Sequence, residues 1–118
     1  MNTQKQIQQI ASSDTLLQTV IDFSPVRKAR DFNHLERRQQ QRAITNDMIR
    51  VAIAYGQRRF DNRGAIVYML NDHVLKYSPY TKFTDYLRGL QVICLHEAST
   101  PRVLTTYWNF NTKKRVRN

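Results

Sequence analysis

Residues 46–56, NDMIRVAIAYG, decide where the chain passes from helix to sheet. The apolar residues of this stretch recur at helical spacing and form one stripe: Met48, Ile49, Ala52 and Ile53. Thr45 is a good N-cap residue, and Asp47 suits the positive end of a helix in its first turn. Gly56 is typical of a helix end. The stretch therefore predicts a helix from about Asn46 to Tyr55.

After Gly56 the spacing of apolar residues changes from about 3.6 to 2, which is the period of a strand. Strands are predicted at residues 65–70, 73–77, 91–95 and 102–109. Turns are predicted at residues 71–72 and 98–101, so that residues 73–77 return as the hairpin partner of residues 65–70. The aromatic and basic segment 78–89 is predicted to be irregular.

Before residue 46 the pattern is helical. Residues 4–22 predict one helix or two short ones, with Asp14 as the cap of the second and Pro25 beyond its end. Residues 24–31 predict a basic linker, and residues 31–41 another helix. The order of elements predicts an α+β fold, with N-terminal helices packed on a four-stranded (three to five) antiparallel sheet.

Charge is the strongest global feature of the chain. Nineteen Lys and Arg residues stand against nine Asp and Glu, and the net charge is +10. Thirteen of the basic residues are Arg, whose planar fork binds phosphate in two places. This composition favours a polyanion such as RNA or another nucleic acid as partner, or an acidic protein. Candidate nucleic-acid contacts are Arg37, Arg63 and, in a basic tail at residues 111–118, Lys113, Lys114 and Arg115.

Other chemistries find little support in the sequence. The single cysteine, Cys94, lies in an apolar run and has no second cysteine for a disulfide or a metal cluster. No histidine, cysteine and acid spacing fits zinc, and the three glycines form no phosphate loop. We therefore expect no metal and no cofactor. No signal-peptide pattern and no bilayer-length apolar run is present, so we expect no membrane partner and a cytoplasmic location.

The stretch HLERRQQQR, residues 34–42, is helical in character but offers only Leu35 to a core. His34, Arg38 and Arg42 are four residues apart, so they share one helical face about 12 Å long. Two arginines at this spacing repel each other, which is reasonable if an anion lies on the ridge. The alternative is a polar helix whose long side chains cover the core.

The sequence HLERRQQQRAI resembles the opening motif of a prokaryotic family of small RelE-like domains in the barnase–EndoU–colicin–RelE superfamily. In that family the motif is followed by a capped helix, an Arg-Gly strand start and a late strand ending in Thr-x-Tyr. This chain has the helix at residues 46–56, Arg63-Gly64 before AIVYML, and VLTTY at residues 103–107. Ala43 stands where the family usually has Gly, and Gln39 where it usually has Met.

The resemblance covers about residues 31–109. It implies that residues 31–110 form the RelE-like α+β domain, after a helical extension and linker at residues 1–30. It also implies metal-independent RNA cleavage, in proteins that are often toxins with an acidic antitoxin or immunity protein as partner.

Under this interpretation His34 transfers a proton, because histidine can change protonation near neutral pH. Arg38 and Arg42 hold the phosphate. Thr105 and Tyr107 share one face of their strand, where Thr105 bonds a phosphate oxygen and Tyr107 stacks on a base. Tyr68 is predicted to stack likewise from the facing strand. Plain strand propensity explains Thr105 and Tyr107 equally well.

Three functions are open at this point. The first is a small basic RNA-binding protein that is a metal-independent endoribonuclease of toxin type. The second is a non-catalytic nucleic-acid-binding or partner-inhibiting protein from a mobile element, which uses the same ridge and the basic tail. The third is a structural subunit that assembles through its N-terminal helices, which leaves the arginine row unexplained.

Overall fold

The computed structural model describes residues 2–19, 22–61, 63–95 and 100–109. Its α-helices are α1 (Thr3–Ser13), α2 (Thr15–Thr19), α3 (His34–Arg42), α4 (Asn46–Tyr55), α5 (Asp72–Lys76) and α6 (Thr84–Leu87). Its strands are β1 (Ser24–Pro25), β2 (Gln57–Phe60), β3 (Ala65–Met69), β4 (Leu90–Leu95) and β5 (Arg102–Trp108). A short 3₁₀ helix spans Thr81–Phe83.

The five strands form one mixed sheet in the order β1-β5-β4-β3-β2. The four strands after Gly56 pair antiparallel with their neighbours. β1 pairs parallel with β5, through Ser24 opposite Arg102 and Pro25 opposite Val103. The predicted α+β class, with helices ahead of the sheet, is confirmed. The parallel strand is an addition, within a segment predicted to be only a linker.

The predicted hairpin was wrong. Residues 73–77 do not form a strand, because Asn71 caps α5 by accepting a hydrogen bond from the Val74 amide at 2.9 Å. Asparagine suits a turn and a helix N-cap equally well, and here the cap prevails. The true partner of β3 is β2, with Arg59 opposite Val67. The sequence of β2, QRRF, is exposed at every position and shows no alternation of apolar and polar residues, so the pattern did not indicate a strand.

The segment 78–89 is more regular than predicted, since it holds the 3₁₀ helix and α6. The other helices agree with the predictions within a few residues. The strand predictions at residues 91–95 and 102–109 are confirmed by β4 and β5. Residues 98 and 99 of the turn predicted at 98–101 lie outside the described residues, as does the tail 111–118.

The core lies between α4 and one face of the sheet. Met48, Ile49, Val51 and Ala52 of α4 are fully buried. They share a cluster with alternate residues of β3 and β4, namely Ile66, Tyr68, Val92 and Cys94. Ile7 and Ala11 of α1 and Leu17 of α2 belong to the same cluster. The first two helices therefore contribute to the core of the α+β unit, whereas the domain division at residue 30 stays a prediction.

Asp14 ties the N-terminal helices to the rest of the fold. Its carboxylate caps α2 by accepting from the Leu16 amide at 3.0 Å. The same carboxylate accepts hydrogen bonds from the hydroxyls of Tyr55 and Tyr80, each at 2.9 Å. Burial, followed by the hydrogen bond to Asp14, raises the pKa of Tyr55 to about 12. Both tyrosines therefore stay neutral donors to this carboxylate.

Two helix ends show how backbone conformation constrains the residue type. Gly56 ends α4 as predicted, but at φ −66°, so a left-handed conformation is not the reason for glycine. A Cβ there would collide with the Ala52 carbonyl oxygen. Ala43, which ends α3, has φ 54° and is the one non-glycine residue with positive φ in the described part of the chain. It occupies the position where the RelE-like pattern usually has Gly.

We expect Ala43→Gly to stabilise the fold. An L-residue pays about 1–2 kcal/mol in the left-handed region, whereas the added freedom of glycine in the unfolded chain costs about 0.4–1 kcal/mol. The free energy of unfolding, measured by urea denaturation, should rise by about 0.5–1 kcal/mol. The control Ala54→Gly, inside α4, should lower it by a similar amount. A lower stability for Ala43→Gly would contradict the left-handed conformation of Ala43.

Candidate functional site

Helix α3 is bound to β5 mainly by polar contacts. Among its nine residues only Leu35 is buried. His34 Nε2 lies 3.1 Å from Thr105 Oγ1, Arg42 Nη1 donates to the Thr106 carbonyl at 2.6 Å, and Trp108 Nε1 donates to the Arg42 carbonyl at 3.0 Å. These bonds fix both ends of the helix against the same strand. The side chains between them therefore have a defined place relative to the sheet.

A cleft of about 560 Å³ opens where α3 meets β5. It is lined by His34, Arg38, Arg42, Thr105, Tyr107 and Trp108. The first five are the residues that the sequence predicted as a catalytic group, and the structure brings all of them together. Trp108 was not predicted as a site residue. Its position next to Tyr107 in the terminal Thr-x-Tyr strand was the available signal.

His34 is held at both ring nitrogens. Nδ1 lies 3.0 Å from Asp31 Oδ2, and Nε2 faces the Thr105 hydroxyl. Hydrogen bonds from Arg37 and then from His34 hold the pKa of Asp31 below its ordinary value. An ionised carboxylate can only accept, so the Nδ1 atom must carry the proton. When His34 is neutral, its Nε2 atom therefore has a lone pair that points at Thr105 and the cleft.

Asp31 is the functional residue that the sequence reasoning missed. From the sequence it was predicted only to lie at the start of the helix at residues 31–41. The structure places it before α3, in a bend where the His34 amide donates to the Asp31 carbonyl at 3.2 Å. An acid three residues before a histidine was the available signal, since such spacing allows a contact across one turn.

The positive charge of the cleft is not neutralised by the acids near it. Glu36 pairs with Arg27 at 2.6 Å, and Asp31 pairs with Arg37 at 2.5 Å. Within the described ranges, Arg38 and Arg42 form no salt bridge; Arg38 Nη1 donates instead to the Gln41 side chain at 2.9 Å. Two guanidinium groups therefore line one cleft with no anionic partner among the described residues, which is an arrangement that a bound anion stabilises.

The other predicted contact residues lie elsewhere. Arg37 turns to Asp31 and does not line the cleft, and Arg63 is exposed in the loop before β3. Tyr68 does not face the cleft, because β4 separates its strand from β5 and its ring belongs to the core. Burial raises its pKa. Lys113, Lys114 and Arg115 lie outside the described residues.

Metal and thiol sites are not found in the described part of the chain. No group of three or more His, Cys, Asp or Glu residues there is arranged to hold a metal ion. Cys94 is buried in the core, and burial raises the pKa of its thiol to about 12. A thiol in this environment is protonated and a poor nucleophile. Across these same described ranges, no helix combines the length and apolar character needed to cross a bilayer.

Comparison with known proteins gives no match to a family model, a curated protein or a solved structure. The RelE-like resemblance therefore stays an interpretation of the motif. The function has to be argued from the geometry of the cleft.

The ion pair of Asp31 predicts a specific acid titration. Because its folded-state pKa is depressed, Asp31 contributes stability above its ordinary pKa of 3.8, and this contribution is lost as the pH falls through the folded value. The carboxyl carbon of Asp31, followed by NMR, should titrate below pH 3.8. Arg37→Met should move the midpoint upward, since it removes the strongest hydrogen bond to the carboxylate. The control Arg38→Met should not. A wild-type midpoint at or above 3.8 would contradict the pairing.

Proposed function

We propose that this chain is a small basic RNA-binding protein that cleaves RNA without a metal ion, as a toxin of the RelE-like kind. The proposal rests on one observation: a single cleft holds His34, which Asp31 orients, and two arginines that have no acidic partner among the described residues. An oriented base beside cations is what phosphoryl transfer by protein groups requires. The cytoplasm, where RNA is the abundant polyanion, is the proposed location.

In the proposed reaction His34 is the general base. Its Nε2 atom takes the proton of a ribose 2′-hydroxyl, the 2′-oxygen bonds to phosphorus, and the bond from phosphorus to the 5′-oxygen breaks. The products are a 2′,3′-cyclic phosphate and a 5′-hydroxyl, so the departing 5′-oxygen takes up one proton. Asp31 keeps the Nδ1 proton in place and stabilises the imidazolium that forms, and it is therefore a positioning residue.

Arg38 and Arg42 would supply the electrostatic part of catalysis. Negative charge grows on the non-bridging oxygens of the phosphate as the 2′-oxygen attacks. A guanidinium offers two parallel N–H donors to such oxygens, and the interaction strengthens as charge builds up. The bond from Arg42 to the Thr106 carbonyl fixes this side chain before RNA binds, which lowers the entropy lost on binding.

Thr105 and Tyr107 complete the cleft. The Thr105 hydroxyl occupies the position next to His34 Nε2 that a ribose hydroxyl must take. It would give up that bond and turn to a phosphate oxygen when RNA enters. Tyr107 would stack on a base, and its hydroxyl is the cleft group available to protonate the departing 5′-oxygen besides the imidazolium of His34.

A second candidate function is binding without cleavage. It is favoured by one observation: among the described residues that line the cleft, His34 is the only one with an imidazole, so they supply no second histidine to act as the acid. The cleft would then hold a nucleic-acid phosphate or a carboxylate of an acidic partner such as an antitoxin or immunity protein. Under this proposal the arginines matter and the proton-transfer capacity of His34 does not.

Cleavage of RNA in the presence of a metal chelator separates the two candidates. His34→Ala should lower the rate about 10²–10⁴-fold, which is the usual contribution of a general base. His34→Gln should lose as much activity, because an amide can keep hydrogen bonds to Asp31 and Thr105 but cannot exchange a proton. Arg38→Lys and Arg42→Lys should also reduce the rate, since an ammonium cannot form the two parallel bonds.

The controls are His73→Ala, an exposed histidine that does not line the cleft, and Arg50→Lys in α4. Both should cleave as the wild type does, and the melting temperature of each variant should exclude unfolding as the cause of lost activity. Absence of cleavage by the wild type on mixed RNA would eliminate the enzyme and leave binding. Equal cleavage rates for His34→Gln and the wild type would eliminate His34 as the general base.

Binding of single-stranded RNA should weaken steeply with salt. The net charge of +10 favours release of counterions on binding, and each neutralised phosphate contributes about −0.7 to the slope of log K against log salt. Replacing Arg38 and Arg42 together by Gln should make the slope less steep by about 1.4. Fluorescence anisotropy between about 50 and 200 mM salt measures this effect. If the double substitution leaves the slope unchanged, the RNA phosphates are bound by residues other than Arg38 and Arg42.

A further inference from the structure

Two rows of side chains cross the sheet on the face opposite the core. The strand register aligns Thr105, Ile93, Val67 and Arg59 in the first row. It aligns Tyr107, Gln91, Met69 and Gln57 in the second. Because neighbouring strands are about 4.8 Å apart, each row extends about 14 Å from the cleft to the edge strand β2. The cleft residues Thr105 and Tyr107 are thus the first members of a longer surface.

A second pocket lies at the far end of these rows. Its volume is about 220 Å³, and it is lined by Gln57, Arg58, Arg59, Val67, Met69 and Gln91. Pockets for drug-sized ligands are larger, at roughly 300–1,000 Å³. This pocket is therefore of a size to take a fragment, such as a single ring system. Val67 and Met69 give it apolar walls, and the arginines give it a positive rim.

Gln91 provides an unusual group in this pocket. It is 3% exposed, and its Oε1 atom has no hydrogen-bond partner among the residues that the structure describes. Its Nε2 atom donates to the sulfur of Met69 at 3.2 Å, and a thioether is a weak acceptor. A buried polar atom left without a partner costs about 1–3 kcal/mol. The amide oxygen can therefore accept a hydrogen bond from a ligand. The amide nitrogen beside it can exchange its weak bond to sulfur for a stronger one to the same ligand.

We propose that the pocket around Gln91 is a base-binding subsite that takes a nucleobase, adenine in the first place, of an RNA strand whose phosphate lies between Arg38 and Arg42. The side-by-side donor and acceptor of a glutamine amide match the N6 amino group and the N7 atom of adenine. The apolar walls suit the faces of a ring, and the arginines at the rim suit the adjoining phosphate. A single strand that crosses the sheet can reach both places.

This subsite rests on the proposed function for its link to RNA, but its occupation can be tested without cleavage. The probes are adenosine, guanosine, cytidine and uridine 5′-monophosphates, with inorganic phosphate as the ligand that lacks a base. The signal is the side-chain amide resonance of Gln91 in a nitrogen-15 NMR spectrum, assigned by its loss in Gln91→Met. We expect it to shift with adenosine monophosphate, and less or not at all with phosphate.

Gln91→Met is the informative variant, because methionine has a similar shape and no amide. It should weaken adenosine monophosphate binding about tenfold or more. A purely structural Gln91 predicts the opposite pattern, in which stability falls and affinity does not. We expect an unchanged or higher melting temperature, since the orphaned oxygen is removed. The control Gln40→Met, an exposed residue of α3, should change neither quantity.

The outcomes separate this subsite from the cleavage proposal. Wild-type protein that cleaves RNA but shows no Gln91 shift with any nucleotide overturns the subsite alone. A Gln91 shift without RNA cleavage overturns the enzyme and keeps the subsite. If both hold, the wild type should prefer sites next to adenine, and Gln91→Met should lose that preference. Equal affinity of Gln91→Met and wild type for adenosine monophosphate overturns the subsite.

Discussion

The contact between α3 and β5 is the constraint on which the site depends. A helix with one buried side chain gains little from hydrophobic packing, so its position has to come from directed bonds. The bonds from His34, Arg42 and Trp108 are directional, and they fix the helix in rotation as well as in distance. An apolar interface of the same size would tolerate sliding. The polar contact is what keeps the row of basic side chains over the Thr-x-Tyr strand.

The distribution of ion pairs gives the basic surface its selectivity. Thirteen arginines make the whole chain attractive to polyanions, but attraction alone does not define a site. Near α3 the acids are paired with Arg27 and Arg37, which lie outside the lining of the cleft. Among the described residues, Arg38 and Arg42 form no salt bridge, and they share a cleft with the imidazole of His34. The local pairing of the acids with other arginines therefore leaves this cleft with a positive charge that attracts an anion.

The group of cleft residues was predictable because it depends on local periodicity. The four-residue spacing of His34, Arg38 and Arg42 places them on one helical face. The two-residue spacing of Thr105 and Tyr107 places them on one face of their strand. Asn71 was misread because its side chain suits a turn as well as a cap, and only the packing of α5 decides between them. The role of Asp31 depends on a bend that no periodicity encodes. The position of the Gln91 amide between Met69 and the edge strand was not predictable either, since it results from the register of three strands.

The long separation between the two sides of the cleft governs when the site can exist. His34 and Thr105 are 71 residues apart in the chain. Closing a loop of this length costs about 4 kcal/mol of chain entropy, whereas one hydrogen bond contributes about 0.5–1.5 kcal/mol. The hydrogen bond between His34 and Thr105 cannot offset this cost alone, so it depends on the packing and strand pairing of the rest of the fold. The cleft is therefore a product of the whole fold, and any activity of the cleft is lost when the chain unfolds.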